Sequence, residues 1–536
     1  MLSSASRTFN CNTDVDESSI LLPLKGEAKL IRVSATKSGT HLQTPARYRS
    51  IFSPVFAQVY PMNVGPLTRN ISSLLLWTVC SCTFNVSAAT QQRAPRSRPA
   101  QVQSDQIISQ LREAASLLES GRAAEAEPLL RRVLVASPNN ADAHNLLGIV
   151  LDQAGKTADA EREYRAAIRL NPSGVSALAN LGVLFARTSR ADEAIKTFAA
   201  VLRLAPDHPQ ATLNLGLQYS QRGDDAKALP LLQRAVALGL DSYEVRYRLG
   251  LSFYNLARYD EAIPMLESAS ALSPHTPEPL YFLGLVYWSR QQDEMAAQFW
   301  DRAIQLRPNF PEVNFMLGEA LRKNRRSEAA IEFYRRALAQ DATKFVYYAR
   351  LGGAYLQLGQ LDDALEVFGR ALKRFPRLPE AHYFVGIAAR ARADYARAES
   401  EFRESLRLRP RNVDTLAQLG FIVGERDRYA EAEELLRSAI AINDQHFYAN
   451  YDLGRLLVKS KRYEDSLAVL RHAATLKPKN ASVHYQMFIA LSRLKRKEEA
   501  QRELAIFNQL DEERKAQPRQ RDDTELENPE PAPPPR

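Results

Sequence analysis

Cysteine is scarce in this chain of 536 residues, and its position is informative. The three cysteines are Cys11, Cys80 and Cys82, and none lies beyond residue 82. The rest of the chain therefore contains no disulfide and no metal site built from thiolates. This composition suits a reducing or an oxidising compartment equally well.

A surplus of positive charge is also missing from most of the chain. The formal net charge is +9, but residues 1–103 alone hold 11 Lys and Arg against 4 Asp and Glu. Beyond residue 103 the basic surplus falls to two, with both signs interspersed. Nucleic-acid binding needs a basic patch or stripe, so this distribution argues against a nucleic-acid partner.

Catalytic signatures are absent as well. The sequence has no phosphate-binding glycine loop, no G-x-S-x-G nucleophile turn, no H-E-x-x-H zinc motif and no dinucleotide-binding glycine motif. Seven histidines lie scattered beyond residue 103, and no pair has metal-ligand spacing with a carboxylate. We therefore expect no enzyme activity, no cofactor and no metal.

An apolar stretch near residue 71 carries the one targeting signal. Arg69 precedes an apolar run over 71–86, and the small residues Ser87, Ala88 and Ala89 follow it. This arrangement predicts a secretory signal peptide over 62–88, with residues 1–61 as an upstream extension absent from the mature protein. An uncleaved membrane anchor and an irregular tail are the two alternatives, although the run is short and interrupted by serine and threonine.

Two polar segments flank the middle of the chain. Residues 89–106 contain prolines and charges and predict a linker. Residues 513–536 contain six prolines among many charged residues and predict a disordered or polyproline II tail.

Everything between these segments is one repeating unit. A Leu-Gly or Val-Gly pair recurs every 34 residues without an insertion, and its glycines are Gly148, Gly182, Gly216, Gly250, Gly284, Gly318, Gly352, Gly386, Gly420 and Gly454. A fixed period of this length is the signature of a repeat architecture.

Further markers keep the same period. Twelve residues after the glycine comes an alanine, as at Ala160 and Ala364, and four residues later a large apolar residue, as at Tyr164 and Phe368. Proline closes many units, for example at Pro376. Apolar residues spaced three and four apart predict two amphipathic helices per unit, and the closing proline ends the second helix.

This set of markers resembles the tetratricopeptide repeat, and the unit with Leu351, Gly352, Tyr355, Ala364 and Phe368 is typical of the family. The resemblance implies an all-α fold, a right-handed α-solenoid of about twelve 34-residue helix-turn-helix units over 107–512. The first and last units depart from the pattern, as capping units of a solenoid do. We expect the glycine to let the second helix approach closely at its small alanine.

In this family, partner peptides lie in the concave groove and contact the second, fifth, sixth, ninth and twelfth positions of each first helix. The resemblance therefore implies a set of groove residues with aromatic, amide and charged side chains. They are Asn180, Asn214, Tyr247, Tyr254, Tyr281, Trp288, Phe315, Glu319, Arg322, Tyr383 and Arg390.

Two interpretations of this groove stay open. The aromatic residues are either a functional stripe or the ordinary lining of such repeats. If they are a functional stripe, the main partner site lies in units five to nine. Asn180 and Asn214 are similar to the groove asparagines of O-linked N-acetylglucosamine transferases, and Asn145 lies one position out of register. Arg248 interrupts that series in the next unit.

The sequence thus predicts a protein-binding scaffold whose partners are proteins or peptides, exported to the periplasm or secreted. The alternatives are an accessory subunit of an envelope-assembly or polysaccharide-export machine, and a regulatory subunit of an enzyme on another chain. We expect no membrane span in the mature chain. Membrane-anchored and cytoplasmic locations, and self-association through the ends of the solenoid, are further alternatives.

Overall fold

The computed structural model describes residues 98–516, with side-chain surroundings described for 104–515. The predicted extension (1–61), signal peptide (62–88), first part of the linker (89–97) and last part of the tail (517–536) lie outside the described residues.

Within residues 98–516 the secondary structure consists of 24 α-helices, and no strand occurs there. In chain order the helices are α1 (Arg98–Glu119), α2 (Ala123–Ala136), α3 (Ala141–Gln153), α4 (Thr157–Leu170), α5 (Val175–Arg187), α6 (Ala191–Leu204), α7 (Pro209–Gln221), α8 (Asp225–Ala237), α9 (Tyr243–Asn255), α10 (Tyr259–Leu272), α11 (Glu278–Ser289), α12 (Asp293–Leu306), α13 (Pro311–Lys323), α14 (Ser327–Gln340), α15 (Phe345–Gln357), α16 (Leu361–Arg374), α17 (Pro379–Ala391), α18 (Tyr395–Leu408), α19 (Val413–Glu425), α20 (Tyr429–Ile442), α21 (Phe447–Lys459), α22 (Tyr463–Leu476), α23 (Ala481–Arg493) and α24 (Lys497–Ala516).

Each odd-numbered helix packs against the even-numbered helix that follows it, and each pair packs against the next pair. The predicted all-α solenoid of about twelve units is confirmed. The first helix begins at Arg98, nine residues before the predicted start of the array, and α24 continues to Ala516, past the predicted end at 512. Pro99 does not prevent the early start because proline is tolerated in the first turn of a helix.

The helix boundaries follow from local capping and turn residues. Asn140 precedes α3, and its side chain accepts a hydrogen bond from the Ala143 backbone N–H, which otherwise has no partner in the helix. The turn between the two helices of a unit contains one residue in the left-handed region, such as Gly155 (φ 75°) or Ala257 (φ 56°). This residue recurs at the same position of every unit, so every unit turns in the same way.

The repeated glycine has a different role from the one predicted. A Cβ on Gly148 would lie 2.6 Å from the Tyr164 ring, and a Cβ on Gly318 would lie 2.6 Å from the Tyr334 ring. The glycine therefore makes room for the large residue of the second helix, not primarily for its alanine. Ala160 is fully buried nearby, and the large ring fills the space that the missing side chain leaves.

The first helices of several neighbouring units also contact each other directly, in addition to their contacts with second helices. Stacking of this kind places the odd-numbered helices side by side along one face of the array. We call the exposed surface of these helices the groove.

Candidate partner-binding groove

The groove begins with a row of side-chain amides on α3, α5 and α7. Asn180 and Asn214 are half-buried, and the Nδ2 group of Asn180 donates a hydrogen bond to Oδ1 of Asn145 over 3.0 Å. Asn145, which the sequence places one position out of register, is thereby joined to its neighbour. We call Asn145, Asn180 and Asn214 the amide row.

Apolar side chains with some exposed surface surround the amide row. At the ninth position of their units, Ile149, Val183 and Leu217 are each half-buried. An ion pair between Arg187 and Asp152 links units two and three at the ends of their first helices, α3 and α5. This stretch of the groove is therefore accessible and nearly neutral.

Three of the four predicted groove tyrosines, Tyr247, Tyr281 and Tyr383, are buried instead of lining an open surface. The Tyr247 ring is 5% exposed, stacks on Tyr243 with centroids 5.8 Å apart and meets the edge of Phe282. Tyr281 is 7% exposed and packs 5.4 Å from the Phe310 ring. Burial raises the pKa of both Tyr247 and Tyr281 above the ordinary range. These rings hold neighbouring units together, so their side chains offer a partner little surface.

The remaining aromatic residues differ in exposure. Tyr383 is 9% exposed and packs against Phe402. By contrast, Tyr254, Trp288 and Phe315 are half-buried and present part of their rings. A partner in the central groove would therefore contact these three rings rather than the buried tyrosines.

Trp288 is also covered on one side by a cation. The Lys323 Nζ atom lies 4.5 Å from the centre of the Trp288 ring. The same ammonium group forms an ion pair with Asp293 over 2.7 Å. This contact connects α11, α12 and α13 beside the exposed part of the indole.

Glu319 and Arg322 belong to a buried ionic cluster. The Tyr334 hydroxyl donates to Glu319 Oε1 over 2.5 Å, and an Arg322 guanidinium nitrogen lies 3.3 Å from Oε2. Arg350, on the next first helix, places its Nε atom 3.1 Å from Oε1. Burial by itself raises the pKa of Glu319, but Arg350, Arg322 and the Tyr334 hydroxyl outweigh it and hold that pKa below its ordinary value.

The sequence analysis missed Arg350, although it occupies the sixth position of its unit. The predicted groove residues Glu319 and Arg322 contact each other, and Arg350 on the next unit is the third member of the cluster. Because these charges satisfy one another inside the protein, the cluster ties units seven and eight together.

Arg390 lies in a second polar cluster, farther along the array. The Arg390 guanidinium donates to Gln418 and lies 4.6 Å from the centre of the Phe421 ring. Arg455 stacks on the same ring at 4.7 Å and donates to Glu425 over 2.9 Å. Burial lowers the pKa of Arg390 from its ordinary value.

Gln418, Phe421 and Arg455 were not among the predicted groove residues. Their sixth and ninth positions in successive units are the signal that would have identified them. Arg390 and Arg455 enclose the aromatic ring between two guanidinium groups, which fixes the groove floor in units nine to eleven.

The described residues contain no group of three or more His, Cys, Asp or Glu side chains placed to hold a metal ion. Among the helices between Arg98 and Ala516, none is both long and apolar enough to cross a bilayer.

Two family models match consecutive parts of the chain. The model described as "Tetratricopeptide repeat" matches residues 111–175, 147–209, 180–244 and 247–311. The model described as "Cilia and flagella-associated protein 70 C-terminal domain" matches residues 309–522. Together the matches span almost the entire array. No protein of the curated set matches the sequence.

Several solved structures are similar in fold. YrrB, described as a TPR protein with an unusual peptide-binding site, is 23% identical, with 37% of this chain and 97% of that chain covered and a TM-score of 0.33. Yeast Tom70 is 12% identical over 74% of this chain and 97% of that chain, with a TM-score of 0.34. PilF of Pseudomonas aeruginosa is 20% identical over 40% of this chain and 99% of that chain, with a TM-score of 0.35.

Proposed function

The chain is a tetratricopeptide-repeat protein, and on that premise we propose that it is a scaffold that holds an extended segment of another protein in the groove. The family fold is in general a protein-interaction fold without catalysis. The finer part of the proposal is that the amide row binds the backbone of the partner, while exposed rings farther along bind its side chains.

The amide row is the observation that carries this proposal. A carboxamide has two N–H donors and one oxygen acceptor, so it can satisfy both an N–H and a C=O of a peptide backbone. Asn180 gives one donor to Asn145 and keeps its oxygen and second N–H for a ligand. Because backbone groups are the same in every sequence, such contacts favour an extended conformation over a particular side chain.

The spacing of the row suits an extended chain. Packed helices lie about 8–10 Å apart, and an extended strand rises about 3.3 Å per residue. One asparagine per unit therefore meets roughly every third residue of a bound segment. The half-buried Tyr254, Trp288 and Phe315 come later in the array, and the exposed parts of their rings would contact apolar side chains of the same segment.

The test compares two full-length variants. The first changes Asn145, Asn180 and Asn214 to Ala. The control changes three exposed amide residues outside the row to Ala as well, namely Gln305, Asn309 and Gln445. Partners captured by the native chain are identified by mass spectrometry, and the bound segment is then titrated as a synthetic peptide. We expect at least a tenfold loss of affinity for the first variant only, with unchanged helicity; equal affinity of the two variants would contradict the proposal.

Tyr281 is unsuitable for this test. Its ring is buried against Phe310, so a change to Ala removes packing between units as well as any contact with a partner. Trp288 and Phe315 are better choices for a second variant because part of each ring is exposed.

Export of the protein remains part of the proposal. It is supported by the apolar run over 71–86 and the small residues that follow. N-terminal sequencing of the protein from its native source checks this: a start near Ala89 agrees with cleavage, and a start at or before Met62 contradicts it.

The two alternative functions are an accessory subunit of an envelope-assembly machine and a regulatory subunit of an enzyme. The proteins that the native chain captures distinguish between them.

A further inference from the structure

A row of acidic side chains lies in the first turns of the first helices, along one edge of the groove. Within residues 104–515, five units have a buried or half-buried acid six residues before the repeated glycine. These acids are Glu244, Glu278, Glu312, Glu380 and Asp414. A carboxylate in the first turn of a helix is stabilised by the exposed backbone N–H groups there, so the row by itself indicates no ligand.

Four of these acids contact a basic side chain of the protein. The four pairs are Glu244 with Arg248, Glu278 with Arg307, Glu380 with Arg409 and Asp414 with His446. In units six and nine the partner is an arginine that follows the acid by 29 residues. In unit seven the residue at that distance from Glu312 is Asp341. Unit seven thus has a second acid where units six and nine have the arginine.

Glu312 is therefore the member of the row that lacks a basic partner. Among residues 104–515, its carboxylate has no ion pair and no hydrogen bond from another side chain. Burial raises the pKa of Glu312 above its ordinary value and Asp341 adds to this effect, although the backbone N–H of Glu312, Lys344 and Arg307 oppose it. A half-buried carboxylate thus lies near a second acid with no cation in contact.

Two tyrosine hydroxyls lie near this carboxylate. Tyr281 and Tyr347 are only 7% and 3% exposed, yet neither hydroxyl has a hydrogen-bond partner in the described part of the chain. Both oxygen atoms reach the surface. Burial is the main cause of the raised pKa of each tyrosine and the charge of Glu312 is the next, so both hydroxyls are close to it. Polar groups of such buried side chains normally have a partner, and these two are accessible from the groove.

Phe315 adds an apolar surface beside these oxygen atoms. It follows Glu312 by three residues on α13, so the two side chains share a face of the helix. Its ring is half-buried, and the ring centre lies 5.1 Å from that of Tyr347. We call Tyr281, Glu312, Phe315, Asp341 and Tyr347 the acidic subsite.

We propose that the acidic subsite binds a lysine or arginine side chain of the segment held in the groove, an inference that rests on the function proposed above. Ammonium and guanidinium groups only donate hydrogen bonds, whereas carboxylate and phenol oxygens accept them. The apolar stem of the basic side chain lies along Phe315, and its charged end reaches Glu312. The partner thereby supplies the cation that Arg307 and Arg409 supply to the acids of units six and nine.

Other occupants fit this chemistry less well. An acidic side chain is repelled by Glu312 and Asp341. A metal ion such as calcium needs six to eight oxygen ligands and gains nothing from an aromatic surface.

The position of the subsite also predicts the spacing of the partner's residues. Glu312 lies three units beyond Asn214, the last member of the amide row. With packed helices about 8–10 Å apart and a rise of about 3.3 Å per extended residue, the basic residue lies roughly eight residues from the one bound at Asn214.

A display library of random fifteen-residue peptides, selected on the full-length chain, tests the inference. Peptides retained by the wild type are compared with those retained by Glu312→Lys, which introduces a positive charge into the subsite. We expect lysine or arginine at one position of the peptides that only the wild type retains. The inference is overturned if no position of these peptides is enriched in basic residues.

One selected peptide is then titrated against three full-length variants. Glu312→Gln should weaken its binding about tenfold. Norleucine in place of the basic residue should cause the same loss in the wild type and no further loss in Glu312→Gln. Asp341→Arg gives unit seven the arginine of units six and nine and should weaken binding as well. Glu328→Gln is the matched control, because Glu328 is an exposed acid on the second helix of the same unit, and it should leave the affinity unchanged.

Thermal unfolding separates a binding role of Glu312 from a structural one. Because burial disfavours the ionised carboxylate and no cation pairs with it, Glu312→Gln should leave the Tm unchanged or raise it. A clear loss of Tm in Glu312→Gln would make Glu312 a structural residue and overturn the inference.

The failure of this inference differs from the failure of the proposed function. Peptides that lose affinity when the amide row is changed to Ala, but keep it in Glu312→Gln, would support the groove and reject the acidic subsite. Peptides that need Glu312 but not the amide row would support the subsite and reject backbone binding by the row.

Discussion

The groove of units two to four differs from that of units five to nine, although both are built on the same 34-residue backbone. In the first region, Ile149, Val183 and Leu217 at the ninth position are half-buried beside the amide row. In the second, Leu251 is 6% exposed and Leu285 3% exposed at that position. The backbone repeat is constant, but the accessibility of the groove is not.

Side chains at neighbouring positions account for the difference. Units five and six place Tyr254 and Trp288 at the twelfth position, where units three and four have Ala186 and Ser220. Large rings at this position, with Tyr247 and Tyr281 at the fifth, cover the groove floor. A solenoid can thus contain an open binding stretch and a filled, rigid stretch without any change of repeat length.

The largest expected effect is a difference between the two regions in the stability that one substitution costs. Glu319→Ala leaves Arg322 and Arg350 without their shared carboxylate, and the loss of one partner from a buried ionic cluster costs about 3–5 kcal/mol. Asn180→Ala removes one hydrogen bond from a half-exposed site and should cost about 1 kcal/mol or less. Hydrogen exchange of α13 to α15 and of α3 to α7 measures both; equal losses would remove the distinction between a filled and an open groove.

Acid should act more strongly on the C-terminal part of the array. Glu399 forms ion pairs with Arg403, Arg426 and Arg428, and the hydrogen bond from Arg428 is the main reason that its pKa lies at about 2. A folded pKa below the unfolded one stabilises the protein above the unfolded pKa, and this contribution is lost as the pH falls from about 5 towards 2.

The effect should be on the order of 2 kcal/mol, allowing for water around the half-exposed guanidinium groups. Hydrogen exchange of α18 to α20 on acidification measures it, and Glu399→Gln is the control that should abolish the pH-dependent part. The corresponding Glu161 in unit two has two arginine partners, Arg165 and Arg190. A larger loss of stability on acidification around Glu161 than around Glu399 would contradict the expectation.

The last comparison is between two adjacent glycines in unit eight, whose substitutions should have effects of opposite sign. A Cβ on Gly352 would overlap the buried Phe368 ring, whereas a Cβ on Gly353 would meet nothing within 4 Å. Gly352→Ala should therefore destabilise the protein by about 1–3 kcal/mol. Gly353→Ala should stabilise it by about 0.5–1 kcal/mol because alanine is the better helix former. Denaturant unfolding of both variants checks the signs, and a loss of stability for Gly353→Ala would contradict the expectation.

Sequence reasoning was reliable where a residue's role repeats in every unit. The period of 34, the two helices per unit and the family were all predicted from the recurring glycine, alanine and large apolar residue, and they are confirmed. The reason for the glycine was predicted wrongly: the close neighbour is the ring of Tyr164 or its equivalent, not the alanine. Periodicity identifies positions that face each other but not which side chain reaches across.

The groove was predicted only in part. Its positions followed from the family resemblance, and Glu319 and Arg322 do meet in the structure. Yet Tyr247 and Tyr281 are buried, which depends on rings outside their own helices, Phe282 on α11 and Phe310 directly before α13. Whether these residues bind a partner stays a prediction that the capture experiment addresses.

The sequence by itself therefore determined the architecture, because each unit repeats the same short-range pattern of helix periodicity, close approach and turn. Only the tertiary structure decided which groove residues are exposed, that Asn145 joins Asn180, and that three histidines each lie between a carboxylate and a carbonyl. These contacts join side chains 19 to 35 residues apart in the chain. Their distances depend on how each helix is rotated against its neighbours, and that rotation is set by the packing of the whole array.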